Sequence, residues 1–237
     1  MRKPVRLIFT LLLGAIASVG ARAATIGQID TFEDGTTQGW VTAILGSPNP
    51  APPVNVPTGG PLGAGDSFMQ LTSLGTLGPG GRLVVINPAQ WTGNYIAAGI
   101  TSISMDVRNL GATDLYLRLL FEDPMGAPPV DVATTSAVFL AAGGGWTSIN
   151  FSVAAANLTA ISGSVNTVLQ NTTAFRIFNS QDPTFPGPPS ESILGVDNIR
   201  AGGVPEPGAW TMLAGGLSLL LAVRLRRRPR RERCCCF

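Results

Sequence analysis

Two stretches near the middle of the chain alternate strictly between apolar and polar side chains. In Ser102–Arg108 the apolar residues fall at Ile103, Met105 and Val107; in Asp114–Phe121 they fall at Leu115, Leu117, Leu119 and Phe121. Successive side chains of an extended strand point to opposite faces, so a period of two places every apolar group on one side. That pattern predicts antiparallel strands with one buried face. Strand-like runs recur at Ser67–Thr72, Arg82–Asn87, Ser136–Leu140, Trp146–Ser152, Ala174–Asn179 and Ile193–Arg200. Turns rich in glycine separate them, at Gly80-Gly81, Asn109-Leu110-Gly111 and Gly143-Gly144-Gly145. Near the start, Ile29, Thr31 and Glu33 alternate against Asp30, Phe32 and Asp34 before a turn at Asp34-Gly35. Gly46–Asp66 is thick with proline and glycine and reads as a long loop. Helical spacing occurs only in Val153–Gln170, at Leu158, Ile161, Val165 and Leu169, and Gly163 interrupts it, so one or two short helices are expected. Many short strands without βαβ alternation predict an all-β, antiparallel two-sheet sandwich, jelly-roll-like, with its first and last strands adjacent.

Composition removes several functions. Histidine is absent, which takes away the commonest general base near neutral pH and the commonest transition-metal ligand. The three cysteines are consecutive, Cys234 to Cys236, so the body carries no disulfide and no zinc-type spacing. Between Ala24 and Gly203 five arginines stand against twelve acids, a net charge of −7, and no lysine occurs there. An acidic body of this kind excludes nucleic acid as a partner.

The basic residues gather at the two ends. Arg2, Lys3 and Arg6, the apolar run Leu7–Ala17 and the small-x-small Ala21-Arg22-Ala23 have the order of a secretory signal peptide, with signal peptidase cutting between Ala23 and Ala24. The body is then 24–203. Val204, Pro205, Glu206 and Pro207 follow; two prolines fix φ and remove two donors, so this segment is extended. The apolar stretch 208–223 is expected to be a transmembrane helix; from Ala209 to Val223 it reaches about 22 Å, short of the roughly 30 Å hydrocarbon core. Arg224, Arg226, Arg227 and Arg228 open an arginine-rich tail, 224–237, that stops transfer and holds the C-terminus in the cytoplasm.

Val-Pro-Glu-Pro, a short apolar helix and an arginine cluster at the extreme C-terminus resemble the PEP-CTERM sorting signal of Gram-negative bacteria. The match is by residue at Pro205, Glu206 and Pro207 and by type from Trp210 to Arg231. The resemblance implies export across the inner membrane, transient anchoring, and processing by an exosortase that releases the body to the cell envelope or the medium. It also implies association with exopolysaccharide and biofilm. The ending Arg230–Phe237 is longer than such signals usually are. Asp30-Thr-Phe-Glu-Asp-Gly35, Gly39-Trp40 and Leu194-Gly-Val-Asp-Asn-Ile199 are similar to the opening and closing strands of carbohydrate-binding jelly rolls.

If the first and last strands pair, Asp30, Glu33 and Asp197 come together as hard oxygen ligands, and the resemblance implies a structural calcium there. Trp91 and Tyr95, in a loop read as exposed, are the aromatics expected to face sugar. Glu122-Asp123 is the acid pair offered for a polysaccharide hydrolase. Consecutive strand residues point to opposite faces, so that pair serves better to end a strand before Pro124. The reading is therefore a non-catalytic envelope or matrix protein that binds carbohydrate, with a secreted hydrolase or a merely self-associating sandwich as alternatives.

Overall fold

The computed structural model describes residues 23–42, 49–125 and 129–203. The signal segment, the sorting motif Val204–Pro207, the apolar run and the arginine tail lie outside the described residues. Among the described residues no helix is long and apolar enough to cross a membrane.

Among the described residues twelve strands form two antiparallel sheets packed face to face. They are β1 (Ile29–Asp30), β2 (Val54–Val56), β3 (Phe68–Leu74), β4 (Val84–Asn87), β5 (Ile100–Asn109), β6 (Leu115–Asp123), β7 (Asp131–Thr134), β8 (Val138–Leu140), β9 (Thr147–Ser152), β10 (Thr159–Ser162), β11 (Ala174–Asn179) and β12 (Glu191–Gly203). The first sheet runs β2-β3-β12-β5-β9, with β1 also paired to β12; the second runs β10-β7-β6-β11-β4, with β8 also paired to β6. From β3 to β6 the chain crosses from one sheet to the other at every step. The expected adjacency of first and last strands holds, with Ile29 opposite Arg200 and Asp30 opposite Ile199.

The alternating residues face each other across the sandwich. Ile103, Met105 and Val107 of β5 meet Leu115, Leu117, Leu119 and Phe121 of β6 in one core, joined by Leu194, Val196, Ile199 and Ala201 of β12. Aromatic rings fill one end of it: Trp91 stacks on Phe175 with centroids 5.4 Å apart, and Tyr95 and Trp40 meet Phe175 at 6.4 and 5.7 Å.

Three strands depart from the sequence expectation. The Pro/Gly-rich loop contains β2, which pairs with β3. The stretch Val153–Gln170 holds a 3-10 turn at Ala155–Asn157, then β10, and only then the helix α1 (Val165–Gln170), capped by the Ser164 hydroxyl accepting from the Thr167 N–H. The third is β7, which pairs β6 with β10. The opening alternation also ends early: Phe32 takes φ +59°, turning its ring into the core.

Candidate ligand-binding face

Because Leu115, Leu117, Leu119 and Phe121 point inward, β6 presents Tyr116, Arg118, Leu120 and Glu122 to the outer face of the second sheet. Its neighbour β11 turns Phe175 and Ile177 inward and adds Arg176 and Phe178 to the same outer face. Leu120, Val132 and Phe178 form a small buried cluster there, with Val84, Ile161 and Phe185 packed against it. Phe185 belongs to the segment after β11, which folds back over the sheet.

Arg118 is the latch of that segment. Its guanidinium donates to the carbonyls of Ser180 (2.9 Å), Thr135 (2.5 Å) and Gln181 (2.7 Å), which spends the fork on backbone rather than on any ligand. Burial pulls its pKa down, with Asp182 opposing. Arg176 is more available. Its Nη2 donates to Glu122 Oε2 at 2.8 Å, and its guanidinium lies 5.2 Å from the centre of the Phe185 ring. Phe185 in turn meets Phe178 edge-on at 5.5 Å. At the other end of the face, Tyr116 and Phe139 stand with centroids 5.3 Å apart, and Phe139 is 53% exposed. The Tyr116–Phe139 pair offers rings on which a sugar could stack, and the partly buried Arg176, further along the same face, a directed donor; Glu122 is buried against it.

Trp91 and Tyr95, expected to face sugar, do not. Both are buried, Trp91 completely and Tyr95 to 1% exposure. The connection from β4 to β5 closes one end of the sandwich, so its rings become core. Trp91 donates its indole N–H to Asp30 Oδ2 at 2.7 Å, and the Tyr95 hydroxyl donates to the Trp91 carbonyl at 2.8 Å. Burial pushes the Tyr95 phenol well above its usual range.

The three acids expected around calcium are also differently employed. Asp30 accepts from Trp91, from the Trp40 indole at 2.8 Å and from the Gln90 amide at 2.8 Å. Burial raises its pKa and these donors pull it back. Glu33 accepts from the Ser67 N–H at 2.9 Å. Asp197 accepts from the backbone and side-chain nitrogens of Asn198, at 2.7 and 3.0 Å. Among the described residues no group of three acids stands so as to hold a metal ion. Asp197 nonetheless sits in an acidic neighbourhood: burial, with Asp66, Asp106 and Glu33 nearby, pushes its carboxyl up to about 7.

Glu122 and Asp123 point to opposite sides as strand geometry requires. Glu122 is buried against Arg176, and Asp123 pairs with Asp131 across β6 and β7. Ala24, the residue after the expected signal cut, is buried, and its N–H donates to the Thr92 carbonyl at 2.7 Å. Ala23, on the other side of that cut, bridges Thr92 and packs on Gly93, where a Cβ would stand 2.7 Å from its own.

The outer face of the first sheet offers a different surface. A depression of about 280 Å³ is lined by Ile29, Ser104, Asp106, Ser148, Asn198 and Arg200. Asp106 accepts from the Ser148 hydroxyl and from Asn198 Nδ2 (2.9 Å). Among the described residues no aromatic ring lines it. The half-buried Trp146 lies further along, donating to the Gly59 carbonyl at 2.9 Å and meeting Phe68 edge-on at 5.2 Å.

Sequence reasoning missed Phe139, Arg176 and Phe185. The alternation of β6 does expose Tyr116, and its partner opposite is Phe139. Phe185 lies among Pro183, Pro186 and Pro188-Pro189, where no period exists to read.

No protein-family model matches this chain, and no curated protein matches it. Solved structures do. An exo-beta-agarase matches with TM-score 0.52 at 13% identity, over 76% of this chain, which spans 25% of that enzyme. The family 11 carbohydrate-binding module from Clostridium thermocellum, in complex with a beta-1,3-1,4-mixed-linked tetrasaccharide, matches with TM-score 0.50 at 14% identity, over 77% of this chain and 99% of the module. The family 11 module of a cellulosomal cellulase of Clostridium thermocellum gives TM-score 0.50 at 13% identity, over 76% of this chain and 96% of that one. At such identities what is shared is the fold, an all-β two-sheet sandwich of the kind found in carbohydrate-binding modules.

Proposed function

We propose that this chain is an exported, non-catalytic carbohydrate-binding protein of the cell envelope, and that its sandwich is a jelly roll holding polysaccharide on the outer face of the second sheet. The order β3-β12-β5-β9 against β4-β11-β6-β7 supports the jelly roll, since it is that of two interlocked Greek keys. The Tyr116–Phe139 pair carries the binding reading. Phe139 is left half in water on a sheet face, next to a second ring, where stacking against a sugar would cover both. Arg176, oriented by the buried Glu122, and Phe185 supply a polar and an aromatic partner further along. The sorting signal at Val204–Pro207 supports the remainder: cutting by signal peptidase, processing by an exosortase, and delivery to exopolysaccharide.

The test is affinity electrophoresis of the protein through gels containing mixed-linked β-glucan or the host exopolysaccharide, with Phe139→Ala and Tyr116→Ala alongside. Retardation of the parent protein is expected, and loss of about tenfold in affinity on removing either ring, at unchanged melting temperature. Free migration in every polysaccharide, or retardation that neither substitution alters, would defeat the reading. Release of reducing ends would favour the hydrolase instead.

A further inference from the structure

A sheet edge offers unpaired N–H and C=O groups to any passing strand, and stable monomers blunt such edges with prolines, charges, bulges or covering segments. Most edges of this sandwich are blunted. β1, β2 and β8 are only two or three residues long, and β2 lies between Pro53 and Pro57. β4 is covered by Val41, which exchanges hydrogen bonds of 2.9 and 2.8 Å with Ile86. β10 is bulged between Ala160 and Ser162.

The edge of β9 has none of these devices. It runs six residues in unbroken register with β5 and contains no proline and no charge. Indeed no charged residue occurs anywhere from Val132 to Phe175. The direction of its free groups follows from the ladder. Val153 donates to the Thr101 carbonyl at 2.9 Å, so by antiparallel alternation Phe151, Ile149 and Thr147 bond toward β5. The N–H and C=O groups of Ser148, Asn150 and Ser152 therefore point outward, and among the described residues no backbone group meets them. Beside them lies an open depression of about 450 Å³, walled by Asn150, Phe151 and Ser152, by Thr135–Val138 and by Ala156–Thr159, whose Asn157 amide donates to the Ser152 hydroxyl at 2.7 Å and leaves the backbone groups uncovered.

We propose that β9 is a strand-addition edge whose occupant is the β9 of a second copy of this chain, joined antiparallel about a two-fold axis. Pairing centred on the strand keeps Ile149 and Phe151 of both copies on the core side and the serine and asparagine side chains on the outer side, as an isologous contact requires. Charge selects the same edge. Two bodies of net charge −7 repel each other, and a run of 44 uncharged residues is where they can approach. The product is one continuous sheet through both copies, with the second sheet of each left free. This contact does not depend on carbohydrate binding.

Sedimentation of the exported, mature protein over a broad concentration range tests it, together with Asn150→Pro and Asn150→Lys. Neither substitution removes a bond to β5, because the Asn150 N–H points away from it. The parent should dimerise, and each variant should weaken the dimer by at least about tenfold while the melting temperature of the monomer, read at high dilution, holds. Amide exchange supplies the second reading. Ser148, Asn150 and Ser152 should exchange slowly in the dimer and fast on dilution, whereas Ile149 and Phe151 stay slow throughout. A protein that is monomeric at every concentration overturns the proposal, as does a dimer that both variants leave intact. A different protein found shielding the same amides would also overturn it.

Discussion

At the scale of single residues, the carboxylates tell most about how the site was assembled. Asp30 is the hub of three donors, two of them indoles 10 and 61 residues away in sequence. An Asp followed by Thr-Phe-Glu-Asp-Gly reads as a solvated strand end, and nothing local announces that Trp40 and Trp91 will close over it. That is why Trp91 and Tyr95 are legible as aromatics but not as core: the neighbours Thr92, Gly93 and Asn94 look like a surface loop, and burial comes from a strand end far away. Asp197 yields a pH dependence. Its folded carboxyl titrates at about 7, against 3.8 for the ordinary group, because burial and the acids Asp66, Asp106 and Glu33 disfavour its charge. The folded protein keeps the proton where the unfolded chain has lost it. The contribution of Asp197 to stability is therefore fully present below about pH 4 and is lost as pH rises toward 7. Asp197→Asn should flatten the urea-unfolding free energy between those limits, measured in chelator so that no cation supplies compensating charge. A slope equal to that of the parent would show that Asp197 is not the titrating group.

Among the elements, β5, β6 and β11 were legible because their inward residues are large and evenly spaced; the bounds of β11 match the sequence reading to the residue. β2, β7 and β10 were not, being three or four residues long and either set among prolines or too rich in threonine and small side chains to show a period. Such strands are held by their partners rather than by their own propensity. β12 shows the reverse dependence, a strand that shapes its surroundings. Gly195 faces outward beneath Trp146, and a Cβ there would stand 2.9 Å from the indole tip and 3.3 Å from the Phe68 ring. Gly195→Val should lift Trp146 off the sheet, break its bond to Gly59 and cost about 1–3 kcal/mol. Denaturant unfolding with tryptophan emission as the probe reads both effects, and an unshifted midpoint would mean that the ring has room to move. Phe139 and Arg176 became visible only once register set β8 and β11 beside β6.

For the molecule as a whole, the sandwich layout is legible in the alternation of its strands, whereas the proposed destination rests on segments outside the described residues. If the sorting reading is right, intact mass of the exported protein gives a chain starting at Ala24 and shortened near Pro207. An exported form retaining Cys234, Cys235, Cys236 and Phe237 would contradict it. The departure at Gly203 has a mechanical meaning. β12 is thirteen residues long, flanked by β3 and β1 on one side and β5 on the other, and the chain leaves from its far end. A pull applied through the residues after Gly203 runs along the strand and loads the ladders on both flanks in shear, many bonds sharing it at once. The same pull on an outermost strand would unzip one bond at a time. If polysaccharide held the second sheet as proposed, a load entering after Gly203 would reach it only through the two ladders that flank β12, so the strand that carries the exit is also the one best placed to bear tension.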